Sequence, residues 1–248
     1  MKQSKFFPTI AIAVSMSLFL LSCNSAEEKK TDATTTDTTT AKAPETPPTP
    51  TPTPAAKPGN VLTILHKVAN FAKWKPKYEA HDSVRRSHGL TNYVLGRGLN
   101  DSNMVLIVLK MDDVNKAKEL AASAGMKETM QKAGVIGKPT FSYLEVVMDD
   151  NSTIEQNTRL MMKHHVKDWD AWKKVFDSHK SARMDAGLID RALGHDIDDN
   201  HMVSMVFAVT DMQKAKAFMN SADLKAKMKE AGVDGPPTSF FYKIVQMY

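Results

Sequence analysis

"YEAHDSVRRSHGL", from Tyr78 to Leu90, returns further along the chain as "FDSHKSARMDAGL", from Phe176 to Leu188. Both stretches read aromatic, acidic, any residue, His, three residues, Arg, three residues, Gly, Leu. The same spacing of 98 residues, from Tyr78 to Phe176, extends without an insertion from residue 61 to the end of the chain. Self-similarity at one fixed period indicates a tandem duplication, with a first repeat at 60–149 and a second at 158–248.

The residues that are identical in both repeats are of types that often determine local structure and packing. They include two tryptophans, two His-x-x-x-Arg sets, a glycine, an acidic residue and a Pro-Thr pair: Trp74 and Trp172, His81 and His179, Arg85 and Arg183, Gly96 and Gly194, Asp113 and Asp211, Pro139 and Pro237. The acidic and polar stretch 149–157 joins the repeats. Each repeat is therefore one folding unit, written twice.

Each repeat predicts the same order of elements. "VLTILHKV" at 61–68 is short and apolar and predicts a strand. Apolar residues at three- and four-residue steps then predict one helix that ends near Gly89. A hairpin, a helix capped by Asp113, a short further helix and a last strand after Pro139 follow. Strand, helix, strand, strand, helix, strand is the ferredoxin-like arrangement, so the fold class is α+β.

One longer pattern occurs in both repeats. It reads His-x-Val-x-x-aromatic-x-x-Trp-Lys-x-x-aromatic-acid-x-His-x-x-x-Arg, and Ala-Gly-Val-x-Gly-x-Pro-Thr follows it. The pattern resembles that of the dimeric α/β-barrel superfamily, which includes antibiotic-biosynthesis-type monooxygenases and cyclase-like proteins. The resemblance implies that the two repeats close into a single barrel with a pseudo-twofold axis inside one monomeric chain.

The resemblance leaves the activity open, because this superfamily contains oxygenases, isomerases, haem proteins and domains without a known reaction. We predict that the domain binds a small molecule in or beside the barrel. The alternatives are a cofactor-independent monooxygenase or cyclase-like enzyme and, third, a haem-binding protein. Converging His, Arg or Asn side chains in the barrel would favour catalysis, and a barrel filled with Met and Phe would favour a structural role.

The repeated His-x-x-x-Arg places both side chains on the apolar face of the predicted helix. The first interpretation of His81, Arg85, His179 and Arg183 is structural. Each imidazole would be hydrogen-bonded in the core, and each Arg would pair with a carboxylate of its own helix, such as Glu79 or Asp177, or with one from the sheet. The second interpretation is a site for an anionic or enolizable ligand.

Two further histidines match between the repeats. His66 and His164 alternate with apolar residues along their strands, so they lie on the apolar face near the helix. A role in the core and a partnership with the helix histidine are both open. His66, His81, Arg85, His164, His179 and Arg183 are the candidate ligand-binding residues.

No cofactor and no metal is predicted. "MMKHH" at 161–165 contains ligand types that suit copper, but strand alternation sends Met162 and His164 to one side and His165 to the other. The first repeat has "ILHK" at the same place. The chain also lacks a P-loop, a dinucleotide fingerprint, a Ser-His-Asp order and zinc-type cysteine spacing.

The first 59 residues predict export and anchoring. Lys2 and Lys5 precede a short apolar run, which is typical of a signal peptide at 1–22. Leu-Leu-Ser-Cys at its end resembles the bacterial lipobox and predicts lipidation of Cys23, the sole cysteine. The Thr- and Pro-rich stretch 23–59 cannot bury enough apolar surface to fold and predicts a disordered linker.

The expected partners follow from this layout. The lipid at Cys23 would attach the chain to a membrane of the bacterial cell envelope, and Asn24 after it favours the outer membrane. The chain has 33 Lys and Arg against 28 Asp and Glu, without Arg-rich blocks. So weak a basic bias argues against nucleic-acid binding.

Overall fold

The computed structural model describes residues 59–150 and 152–248. The predicted signal peptide, the lipidated Cys23 and nearly all of the linker lie outside the described residues. The first repeat contains β1 (Asn60–Val68), α1 (Phe71–Ala80), α2 (Asp82–Ser87), β2 (Leu90–Gly98), β3 (Met104–Met111), α3 (Val114–Ala122), α4 (Ala124–Ala133) and β4 (Val135–Asp149). The second contains β5 (Thr158–Val166), α5 (Trp169–Ser178), α6 (Lys180–Asp185), β6 (Leu188–Asp196), β7 (Met202–Val209), α7 (Met212–Met219), α8 (Ala222–Glu230) and β8 (Val233–Met247).

The eight strands close into one antiparallel barrel in the order β1-β3-β2-β8-β5-β7-β6-β4. The predicted fold class and the barrel within one chain are confirmed. Strand pairs β2–β8 and β4–β6 form the two seams between the repeats. A side chain at Gly194 would overlap the Glu145 carbonyl, and one at Gly96 would overlap the Tyr242 ring. The glycines that match between the repeats therefore allow the seams to close.

Each repeat packs its helices on the outer face of its half of the barrel. In the first repeat, Leu62, Trp74 and Leu109 belong to one buried cluster between sheet and helices. In the second, Leu160 and Trp172 belong to an equivalent cluster. The inner strand faces surround the lumen. Among the described residues, no helix has the length and apolar character needed to cross a membrane.

The predicted first helix is two helices, because the backbone breaks at His81 with φ −91° and ψ 12°. The second repeat breaks in the same way at His179. The break frees the Tyr78 carbonyl from its usual i+4 partner, and the Arg85 guanidinium donates to it at 2.7 Å. The last strand also begins earlier than predicted, at Val135 rather than after the proline.

Candidate functional site

Three of the predicted residues meet in a cleft between the helices and the sheet of the first repeat. His66 from β1, His81 between α1 and α2, and Arg85 from α2 line a cavity of about 60 Å³. The other walls are almost entirely apolar and include Leu62, Ile64, Trp74, Leu120, Met126 and Met130. We call this cavity the first cleft.

The second repeat contains an equivalent cleft. His164 from β5, His179 between α5 and α6, and Arg183 from α6 line a second cavity of about 60 Å³. Its apolar walls include Met162, Trp172, Phe207, Met219, Leu224 and Met228. The fold therefore brings each set of three residues together and keeps the two sets in separate clefts outside the barrel.

The strand histidines are buried without partners. The His66 side chain is 3% exposed, and its ring lies edge-on to Trp74 at a centroid distance of 5.6 Å. Neither of its ring nitrogens has a hydrogen-bond partner among the described residues. Burial lowers the pKa of His66 to about 4, so the ring is neutral at pH 7. In the neutral ring, one nitrogen carries a hydrogen and can donate a hydrogen bond, and the other nitrogen has a lone pair and can accept one.

His164 repeats this arrangement in the second cleft. It is 6% exposed, lies edge-on to Trp172 at 5.6 Å, and also has two unpaired ring nitrogens among the described residues. Burial lowers its pKa to about 4 as well. A buried polar group without a partner costs free energy and calls for an explanation in each case. Two equivalent cases in one chain indicate a common use.

The helix histidines lie at the edges of the clefts, and only His179 has a side-chain hydrogen-bond partner among the described residues. His81 is half-buried at the cleft edge, where burial and then the neighbouring Arg85 lower its pKa. His179 places Nε2 3.0 Å from a carboxylate oxygen of Asp223 on α8. Both residues stand where the helix breaks, between α1 and α2 and between α5 and α6.

Arg183 pairs with a carboxylate of the sheet. Its Nε and Nη2 donate to the two oxygens of Asp190 on β6 at 2.9 and 2.7 Å, and its Nη1 donates to the Phe176 carbonyl at 2.6 Å. Both side chains of the ion pair are largely buried. Of the two predicted alternatives, the sheet carboxylate is the one found, and the helix candidate Asp177 pairs with Lys173 on the exposed side of α5 instead.

Arg85 has weaker partners. Its Nε donates to the side-chain oxygen of Asn92, the residue that matches Asp190, at 3.2 Å. Its Nη2 lies 3.4 Å from Asp82, which also accepts from Arg86 at 2.6 Å. Glu79, the expected partner, pairs with a lysine of its own helix instead. In both repeats the guanidinium supports the cleft wall and has its hydrogen bonds within the protein.

The helices that cover the clefts are loosely packed. Neither α4 nor α8 contains a fully buried residue. Over the first cleft, α4 contributes the half-buried Met126 and Met130, and methionine adapts readily to a changed neighbour. Elements with few buried contacts open at low free energy. Outward movement of α4 or α8 would enlarge a cleft without unfolding the barrel.

The lumen differs from the clefts. Leu106, Met161 and Tyr242 fill part of it, and two adjoining cavities of about 360 and 430 Å³ remain. Lys163 spans the lumen and donates to the Ser142 hydroxyl at 2.6 Å, and burial lowers its pKa to about 8. Lysine has no counterpart at the matching position of the first repeat, where Leu65 stands.

Two arginines at one end of the lumen hold the joint between the repeats. Arg159 donates from Nη1 to the carbonyl of Gln156 at 2.6 Å, and Arg191 donates from Nη2 to the carbonyl of Ser152 at 2.6 Å. Both side chains are buried. These contacts close the end of the barrel with the joint, so the arginines have a structural use.

The likeness to solved structures is clear in shape and low in sequence. An anthrone oxidase-like protein matches at TM-score 0.52 and 14% identity, covering 76% of this chain and 92% of that chain. The chain has the dimeric α/β-barrel fold. A candidate monooxygenase from Fusobacterium nucleatum matches at TM-score 0.49 and 12% identity, with 76% and 94% covered. One from Lactobacillus acidophilus matches at 0.47 and 14%, with 77% and 96% covered. No protein-family profile and no curated protein matches the chain.

A haem group does not fit the clefts of this barrel. Each cleft measures about 60 Å³, whereas sites for drug-sized molecules measure roughly 300–1,000 Å³. The unpaired His66 and His164 also lie edge-on to tryptophan rings at centroid distances of 5.6 Å.

Proposed function

We propose that each repeat binds one small, mainly apolar molecule in its cleft, and that the buried histidine pairs with the single polar group of that molecule. The observation that carries this proposal is the burial of His66 and His164 with both ring nitrogens unpaired. A ligand that supplies a donor or an acceptor to the imidazole removes the free-energy cost of burying it. Apolar walls supply the rest of the affinity.

The chemistry of the cleft selects the class of ligand. The imidazole is neutral, the nearby guanidinium donates to a backbone carbonyl, and the Lys77 ammonium, which also lines the first cleft, donates to the Lys132 carbonyl at 2.6 Å. A charged ligand would lose its hydration against walls that are otherwise mainly apolar. A neutral aromatic alcohol, or another single ring with one hydroxyl or carbonyl, suits the site. It fits once α4 or α8 moves outward.

A cofactor-independent monooxygenase is the alternative function, and the candidate monooxygenases among the structures of similar shape are the reason to keep it. Such an enzyme needs a base to remove a proton from its substrate. An imidazole with a pKa of about 4 is a weak base, whereas efficient general bases titrate near the working pH. The geometry of His66 therefore favours binding over proton removal. Oxygen uptake on addition of a phenol would favour the enzyme.

Calorimetric titration of the full chain with phenol tests the proposal. We expect two equivalent phenols per chain, since the clefts are equivalent. His66→Leu should leave one site, His164→Leu should leave one, and the double variant should leave none. The control His88→Leu, at a residue that lines neither cleft, should keep both sites. Two phenols bound to the double variant would place the ligand elsewhere in the chain and refute the proposal.

We further propose that Cys23 anchors the chain in a membrane of the cell envelope, with 23–59 as the spacer. The lipobox-like sequence before Cys23 supports this proposal. Cys23→Ser should abolish incorporation of labelled palmitate and should leave the leader uncleaved at that site. Ser22→Ala is the matched control and should keep the label. Palmitate in the Cys23→Ser protein would contradict the anchor.

A further inference from the structure

The second repeat contains a group of metal-ligating side chains that lies apart from both clefts. His165 at the end of β5 and His201 beside β7 face each other with ring centroids 5.6 Å apart. Asp199, in the turn before β7, has a carboxylate oxygen 3.9 Å from His165 Nε2. One ligand atom from each of the three residues lies within 4.8 Å of the other two.

In the first repeat, other residues stand at the positions that match His165 and His201. There Lys67 matches His165, Asp101 matches Asp199 and Asn103 matches His201. The Lys67 ammonium lies 2.8 Å from the Asp101 carboxylate, so a positive charge sits against that carboxylate.

The turn itself is the same in both repeats. One carboxylate oxygen of Asp101 accepts a hydrogen bond from the backbone amide of Asn103 at 2.9 Å. In the same way, one carboxylate oxygen of Asp199 accepts a hydrogen bond from the backbone amide of His201 at 3.0 Å. The backbone of β5 is tied to the turn by a bond from Val166 to the His201 carbonyl at 2.9 Å. The second repeat therefore keeps the oriented carboxylate and replaces the ammonium with two imidazoles.

We propose that His165, Asp199 and His201 bind one divalent metal ion of the zinc class, which takes the place of the Lys67 ammonium. Two imidazoles and one carboxylate suit zinc, cobalt or nickel better than magnesium or calcium. Bonds of about 2.0–2.2 Å to each ligand would bring the ligand atoms to roughly 3.3 Å from one another. Rotation of these partly exposed side chains achieves that contraction, because the carboxylate is already fixed by the turn.

The site would have an open position. Three protein ligands leave the fourth tetrahedral position to water or to another small ligand. The alternation of side chains along β5 does not reveal this site. Asp199 and His201 lie in the turn before β7, and the pairing of β5 with β7 brings them to His165.

Titration of zinc chloride into the full chain, purified without chelator and without a histidine tag, tests this proposal. The variants His165→Lys and His201→Asn place the residues of the first repeat at these positions, so the turn has a known way to form. We expect one zinc per natural chain and an affinity at least about 10-fold lower in each variant. Asp101→Asn, which alters the matching turn of the first repeat, should bind zinc as the natural chain does.

Visible absorption of bound cobalt gives a second readout that does not depend on stability. The natural chain should show the intense bands of tetrahedral cobalt, and His165→Lys should lose them. The proposal is overturned if the natural chain binds no zinc, if both variants bind it as well as the natural chain does, or if one ion is held between two chains.

Discussion

Arg183→Met should lower the free energy of unfolding by about 3–5 kcal/mol, which is the largest effect that we expect from a single substitution. The change leaves the Asp190 carboxylate, whose side chain is 13% exposed, without its bidentate partner. It also removes the shorter of two hydrogen bonds to the Phe176 carbonyl, which keeps the His179 backbone amide at 3.2 Å. Uncompensated burial of a charge is the most expensive of these losses. Denaturant unfolding of the natural and variant chains measures the difference.

The first repeat supplies the matched control for this prediction. Arg85→Met should cost about 1–3 kcal/mol, because Asn92 is neutral and Asp82 keeps its contact with Arg86. Adding Asp190→Asn to Arg183→Met places asparagine opposite the lost guanidinium and should recover part of the loss. Equal costs for the two arginine variants would show that the buried ion pair does not distinguish the repeats.

His66→Leu and His164→Leu should each raise the free energy of unfolding by about 1–3 kcal/mol, because each removes a buried polar group that has no partner. For a domain of this size, the melting temperature should rise by about 2–4 °C per kcal/mol. Substitutions in a packed core usually destabilise, so a gain in both repeats would be informative. Loss of stability would show that the imidazole already has a partner, such as a bound water.

The same two variants should change the acid sensitivity of the chain. The pKa of each histidine is lowered from an ordinary value of 6.5 to about 4 in the fold. Between these values the unfolded chain binds more protons than the folded chain, so the natural protein loses stability as the pH falls from 6.5 to 4. Each variant should lose less over this window than the natural chain does. Melting curves across that range provide the measurement.

Much of the architecture could be predicted because the sequence contains two copies of the same pattern. The spacing from His81 to His179 implies two equal units, and the element order within each unit implies the barrel. The helix periodicity places Arg85 on the buried face, whereas His81 lies half-buried at the break between α1 and α2. The break of the helix at His81 could not be predicted, because it depends on a guanidinium that binds the freed carbonyl of Tyr78.

The sequence did not reveal the roles of residues that differ between the two repeats. Arg159 and Arg191 hold the joint, and their counterparts in the first repeat are Val61 and Tyr93. A search for matched residues passes over such positions. The lack of a partner for His66 is equally invisible in the sequence, because it depends on every group that the fold brings near the ring.

Nitrogen-15 NMR of the histidine rings in the full chain tests the central claim most directly, because it reports the protonation and the hydrogen bonding of each imidazole. We predict that the rings of His66 and His164 stay neutral at pH 6 and that one nitrogen of each shifts saturably when phenol is added. The ring of His201, outside the clefts, should not respond to phenol. Protonated rings at pH 6, or rings that ignore phenol while it binds, would contradict the claim that the two buried histidines are the ligand-pairing groups of the clefts.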